Sequence, residues 1–200
     1  IRETHPLYVG LYEGSLGHQE VTRFVEESDC VLLLGTFMTD LNLGIYTANL
    51  DPGKCIYATS EQLRIGHHHY HGVLLGDFIR ELTVRHPEPP ERMLPSISKR
   101  QPKAFSLEAD QPITITRLVA RLEKQLNDPA IVIADIGDAL FAATELTARD
   151  RTEFISPAYY TSMGFSVPAA LGAHCASPAS RVVVLCGDGA FQMTGMELST

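Results

Sequence analysis

Near the end of the chain, Gly187-Asp-Gly-Ala-Phe191 follows the apolar run Val182-Val-Val-Leu-Cys186 and opens a stretch of helical spacing. Glycine lets a backbone approach a phosphate closely, a helix N-terminus offers N–H donors, and the Asp188 carboxylate can hold a hard cation through oxygen. The segment is not the dinucleotide fingerprint, because Gln192 stands where the third glycine would fall. Nor is it a Walker loop, because no Lys-Ser or Lys-Thr follows. Taken alone, a Gly-Asp-Gly turn is more often structural than chemical, since both residue types favour turns. Four of the eight histidines fall in His67-His-His-Tyr-His71, and on an extended strand His67, His69 and His71 share one face. Cys and carboxylate partners at ligand spacing are missing, so a strand without metal is the favoured reading there. Gly10, Gly14 and Gly17 read as turn residues rather than a nucleotide loop.

The remaining composition narrows the chemistry. With 16 basic and 24 acidic side chains the formal charge is −8, a poor match for nucleic acid or an anionic membrane. Hydrophobic residues at 44% against 20% charged describe a chain able to pack a core, not a disordered one. No apolar run approaches the ~20 residues that span a bilayer, and no basic start leads into an apolar core, so a soluble, cytoplasmic protein is expected. Cys30, Cys55, Cys175 and Cys186 form no CxxC pair and are expected to be reduced thiols. Position 1 is Ile, and Gln192 to Thr200 reads as a helix without a cap, so the chain is expected to belong to a longer polypeptide.

Prolines divide the elements that must position these residues. Pro87, Pro89, Pro90, Pro95, Pro102 and Pro112 predict an extended linker over 87–112 between a domain at 1–86 and another at 113–200, each truncated. Before the linker, spacing predicts a helix from His18 to Ser28 and strands at Cys30–Leu34, Cys55–Ala58 and His67–Val73, then a helix at Leu74–Leu82. After it, Ile115, Leu118, Val119, Leu122 and Leu126 mark an amphipathic helix, and Ala130–Ala134 a buried strand. A helix through Arg149, a short strand at Phe154-Ile155, a helix to Cys175 and a strand at Val182–Cys186 follow. Strands alternating with helices predict an α/β fold with a doubly wound parallel sheet. In such sheets ligands bind at the carboxyl edge, where the loops Asp135–Asp138, Tyr159–Gly164 and Gly187–Ala190 gather.

Three segments occur in order: Ile131-Val-Ile-Ala-Asp-Ile-Gly-Asp-Ala-Leu-Phe141, Tyr160-Thr-Ser-Met-Gly-Phe-Ser-Val-Pro-Ala-Ala170, and Val184-Leu-Cys-Gly-Asp-Gly-Ala-Phe-Gln-Met193. Together they resemble the diphosphate-binding domain of thiamine-diphosphate-dependent 2-oxo acid decarboxylases, most closely those acting on indolepyruvate and phenylpyruvate. His5-Pro-Leu-Tyr-Val-Gly-Leu-Tyr-Glu-Gly14 and Asp29-Cys-Val-Leu-Leu-Leu-Gly35 resemble that family's central domain. The resemblance implies that Asp188 ligates magnesium, and that Gly189 and Ala190 meet the diphosphate through backbone donors. It places Asp138 beside the diphosphate, and Thr161 (often glycine in the family) with its carbonyl on the aminopyrimidine. It groups Ser162 with the cofactor-binding residues and makes Met163 the apolar wedge between pyrimidine and thiazolium, with Phe165 helping to exclude water.

The implied protein is a magnesium-dependent carboxy-lyase acting on a small 2-oxo acid and assembling as a homodimer or homotetramer. The family's activating glutamate and its metal-binding asparagine have no counterpart in this chain, so no catalytic residue is assigned and the chain by itself is expected to be inactive. An acetolactate-synthase-like carboligase and a non-catalytic cofactor-binding or oligomerisation piece are the alternatives.

Overall fold

The computed structural model describes residues 2–85, 88, 105–126, 129–149 and 151–200. Most of the expected proline-rich linker over 87–112 lies outside the described residues. The chain forms two compact units, Val9–Ile97 and Ile1–Tyr8 with Ser98–Thr200.

In the unit Val9–Ile97, helix α1 (Gln19–Glu26) precedes strand β1 (Val31–Leu34), and β2 (Cys55–Ala58) pairs with it in parallel, Val31 opposite Cys55. A long crossover between them makes the parallel pairing possible. Strands β3 (Gln62–Ile65) and β4 (His68–His71) continue the sheet antiparallel, and helix α2 (Leu75–Arg85) follows. The three-residue and two-residue connections before β3 and β4 are too short for anything but hairpins. This sheet is therefore mixed, not wholly parallel as expected, and the histidine segment is its fourth strand rather than its third. Gln62-Leu-Arg-Ile65 escaped prediction because only Leu63 among its residues is buried. Val21, Cys55, Ala58 and Leu63 form the buried apolar set here.

The second unit starts with α3 (Ile115–Gln125), whose N-cap Thr114 accepts a hydrogen bond from the Arg117 amide. Strand β5 (Ala130–Ala134), helix α4 (Asp138–Ala143), β6 (Thr152–Ile155), α5 (Ser166–Ala176), β7 (Arg181–Leu185) and α6 (Asp188–Thr194) follow. The sheet order is β6-β5-β7 with both pairs parallel, Val132 lying opposite Phe154 and Val183. Central β5 is buried along its whole length. Its alternate residues feed two cores. Ala130, Val132 and Ala134 pack with Val119, Leu140 and Leu185, whereas Ile131 and Ile133 pack with Ala173 and Phe165. Helices thus cover both faces, the doubly wound arrangement. Because the chain passes from β6 to β7 across β5, the topology reverses at β5 and β7. That is where open α/β sheets bind ligands.

Two helix ends differ from expectation. Helix α4 stops at Ala143 instead of running to Arg149, because the chain turns back onto α3. Buried Glu123 accepts from the Thr147 amide (3.0 Å) and pairs with Arg149 (3.1 Å), and Arg149 also donates to the Leu126 carbonyl (2.9 Å). Helix α6 gives way after Thr194 to a tighter 3-10 turn over Gly195–Ser199, so 192–200 is not one helix.

Candidate functional site

At the carboxyl edge of the second sheet the loops after β5, β6 and β7 meet around one side chain, Asp135. Its amide continues the ladder to the Leu185 carbonyl (2.8 Å), and the residue is fully buried. Its carboxylate accepts hydrogen bonds from the amides of Ile136 (3.0 Å), Gly164 (3.1 Å to each oxygen) and Ser166 (3.1 Å). Burial by itself would raise its pKa, but bonds from Ser166, Ile136 and Gly164 outweigh that and hold the carboxyl below its ordinary value.

Gly164 is pinned from its other side as well. At φ +83° it occupies the left-handed region, and a Cβ there would lie 3.0 Å from Thr194 Cγ2 and 3.2 Å from the Ala190 carbonyl. Only glycine fits so close to α6. The Thr194 hydroxyl donates to the Gly164 carbonyl at 2.7 Å.

The sequence-predicted residues sit around this knot. Asp188 and Gly189 open α6, with Ala190 buried behind them and Gly187 as an N-cap that offers no side-chain acceptor. Asp138 opens α4 in the same way after Gly137, which has φ +78°. Both carboxylates are exposed. Thr161 holds a left-handed conformation, φ 51°, with its amide donating to the Pro157 carbonyl (2.9 Å) and its hydroxyl to that of Tyr160 (2.8 Å). Ser162 is exposed beside it. Met163 is 47% exposed, and its Cε lies 3.8 Å from where a Cβ on Gly189 would stand. Phe165, two residues on, is partly buried and packs against the cluster of Ile131, Ile133 and Ala173.

These groups suit a magnesium diphosphate. Cβ atoms built on Gly137 and Gly187 meet nothing within 4 Å, so the space over both helix starts is open. Backbone N–H groups that begin a helix, beside oxygen ligands, are the donor set such a group requires. Asp135, Gly164 and Thr194 were not singled out from the sequence. The available signal was a charged residue directly ending a fully apolar strand. Elsewhere, the histidines of β4 are exposed, and among the described residues no group of three His, Cys, Asp or Glu is placed to hold a metal ion. No helix among the described residues is long and apolar enough to cross a membrane.

Residues 1–82 match the central domain of thiamine pyrophosphate enzymes, and residues 135–200 match their C-terminal TPP binding domain. Indole-3-pyruvate decarboxylase of Azospirillum brasilense is 37% identical over 98% of this chain and 35% of its own length. Pyruvate decarboxylase isozyme 1 of Saccharomyces cerevisiae is 29% identical over all of this chain and 36% of its own. Alpha-keto-acid decarboxylase of Mycolicibacterium paratuberculosis is 29% identical over 99% of this chain and 35% of its own. The chain spans about a third of the length of the curated relatives it matches. With both domain matches in sequence order, the chain belongs to the thiamine pyrophosphate enzymes.

Proposed function

We propose that this chain is the central and cofactor-binding part of a magnesium-dependent, non-oxidative 2-oxo acid decarboxylase of the indolepyruvate and phenylpyruvate type. The observation that carries the reading is Gly187-Asp-Gly189 at the start of α6 beside the topological switch, with Met163 standing over Gly189. The relatives' names, indole-3-pyruvate, pyruvate and alpha-keto-acid decarboxylase, support the reaction class, and the most similar of those three supports an aromatic substrate.

Each residue has a distinct task. Asp188 holds magnesium through a carboxylate oxygen, and the amides of Gly189 and Ala190 donate to the diphosphate. Asp138, at the start of α4, orients the diphosphate from the β5 side. Thr161 offers its carbonyl to the aminopyrimidine, and its left-handed backbone sets where that carbonyl points. Ser162 follows it in the same turn, and Met163 separates the two rings. Bound thiamine diphosphate supplies the electron sink that takes up the pair released with carbon dioxide. A homodimer or homotetramer is proposed, supported by exposed Tyr160, Met193, Met196 and Leu198 near the site's elements. Four unpaired thiols support a cytoplasmic setting.

Asp188→Ala in the whole protein tests the reading. Loss of a partner one shell removed from a metal costs about 10–100-fold in affinity, so loss of a direct ligand costs at least that. Calorimetric titration with thiamine diphosphate at limiting magnesium is expected to show this loss. Unchanged cofactor affinity, or no carbon dioxide release from either aromatic 2-oxo acid by the wild type, overturns the proposal. A yellow protein with flavin absorption would point to the carboligase alternative instead.

A further inference from the structure

A buried carboxylate is costly to desolvate unless its oxygens are bonded. Asp135 meets that cost with amides drawn from two separate segments: Ile136 after β5, and Gly164 just before α5 with Ser166 at its first position. The grip falls immediately beside the residues assigned to the cofactor's rings. Gly164 follows Met163; its N–H donates to Asp135, and its carbonyl accepts from the Thr194 hydroxyl. Through Thr194 the same residue is tied to α6, whose first turn carries Asp188, Gly189 and Ala190. Asp135 itself lies three positions before Asp138. The buried Asp135 side chain therefore joins two segments of the site directly, and the third through Gly164 and Thr194.

We propose that Asp135 is a positioning residue that sets how far Met163 and the Thr161 carbonyl stand from the diphosphate-binding start of α6. It thereby sets how the cofactor's rings are held relative to its diphosphate. The inference rests on the reading of the site given above. Asparagine is the informative replacement because it keeps the shape and removes acceptor capacity. It retains one acceptor oxygen but brings an NH2 group against the inward-pointing amides. The 163–166 segment then shifts, whereas the first turn of α6 keeps its own backbone. Binding of the diphosphate alone is spared while placement of the rings is not.

The test uses the whole protein as wild type, Asp135→Asn and Thr194→Val, the last freeing the Gly164 carbonyl. Dissociation constants are measured by calorimetry for thiamine diphosphate and for inorganic diphosphate, each with magnesium. Turnover is measured at saturating cofactor. For Asp135→Asn, thiamine diphosphate affinity is expected to fall at least about 10-fold more than inorganic diphosphate affinity. Turnover should fall by roughly 100-fold, the cost of about 1 Å of misplacement. Thr194→Val is expected to show the same split at smaller size. Wild-type behaviour of Asp135→Asn overturns the inference, and so does equal weakening of both ligands alongside a lower unfolding midpoint. If Asp135→Asn does not fold, Thr194→Val decides: the split supports the inference and wild-type values overturn it. A wild type that binds inorganic diphosphate but not thiamine diphosphate refutes the site reading first, and the inference with it.

Discussion

Met163 is half exposed above Gly189 and belongs to neither core cluster of its unit, so its side chain is available for a geometric task. On the proposed reading the diphosphate anchor supplies most of the cofactor's affinity and Met163 supplies orientation. In the whole protein Met163→Leu keeps the volume and retains most activity. Met163→Gly lowers turnover far more than cofactor affinity, a split read from turnover and dissociation constant side by side. A defect entirely in binding would make Met163 an ordinary packing residue. Asp135 adds a pH dependence whose sign follows from its lowered pKa. The folded chain favours the anion more than the unfolded chain does. Its contribution is therefore complete above the ordinary aspartate value of about 3.9 and is lost as pH falls through the lowered folded value. Urea unfolding is expected to show the stability gap between wild type and Asp135→Asn narrowing as pH drops from about 5 to about 2. A gap constant over that range would contradict the lowered value.

At the scale of elements, legibility followed burial. Ala130-Ile-Val-Ile-Ala134 is apolar at every position, and only a strand covered on both faces calls for that pattern. Strand β3 alternates over a mostly exposed surface and left little trace. The Gly-Asp-Gly turn was legible because its residue types announce it. Asp135 was not, because its importance lies in amides contributed from 164 and 166, a long-range closure that spacing does not encode. The early end of α4 was hidden for the same reason: Glu123 and Arg149 meet only after folding. Arg149→Met removes the cation from a buried carboxylate that, among the described residues, keeps only the Thr147 amide. Breaking a fully buried pair costs about 3–5 kcal/mol. Arg149 is partly exposed, so a loss of roughly 1–3 kcal/mol is expected in chemical denaturation. A change below about 0.5 kcal/mol would show that the pair does not hold the two segments. The thiols give an independent check on the first unit. Burial pushes the Cys55 thiol up, and Cys55 lies in the core whereas Cys30 and Cys175 are exposed. Thiolate is the reactive form. Native labelling near neutral pH should modify Cys30 and Cys175 first and Cys55 last, and early modification of Cys55 would refute the packing of β2.

For the whole molecule the question is what covers the apolar side chains around the proposed cofactor site. Tyr160 is 79% exposed, Met193 61%, Met196 84% and Leu198 70%, all within the unit that carries the TPP binding domain. Scattered exposed apolar residues need no explanation, but several large ones grouped on the elements of a site mark a contact surface. The chain's charge of −8 discourages nonspecific self-association, so the proposed assembly would draw on such local apolar surface. Removing it should separate assembly from folding. Met196→Asp with Leu198→Asp places two charges on the exposed 3-10 turn, where the folded unit loses no buried contact of its own. In the whole protein the double variant is expected to keep its unfolding midpoint when dilute, yet sediment at a smaller mass than wild type. Activity should then depend on protein concentration, recovering as the concentration is raised and subunits reassociate. Wild-type mass with wild-type activity at all concentrations would show that this turn faces solvent in the assembled protein and that subunits meet elsewhere.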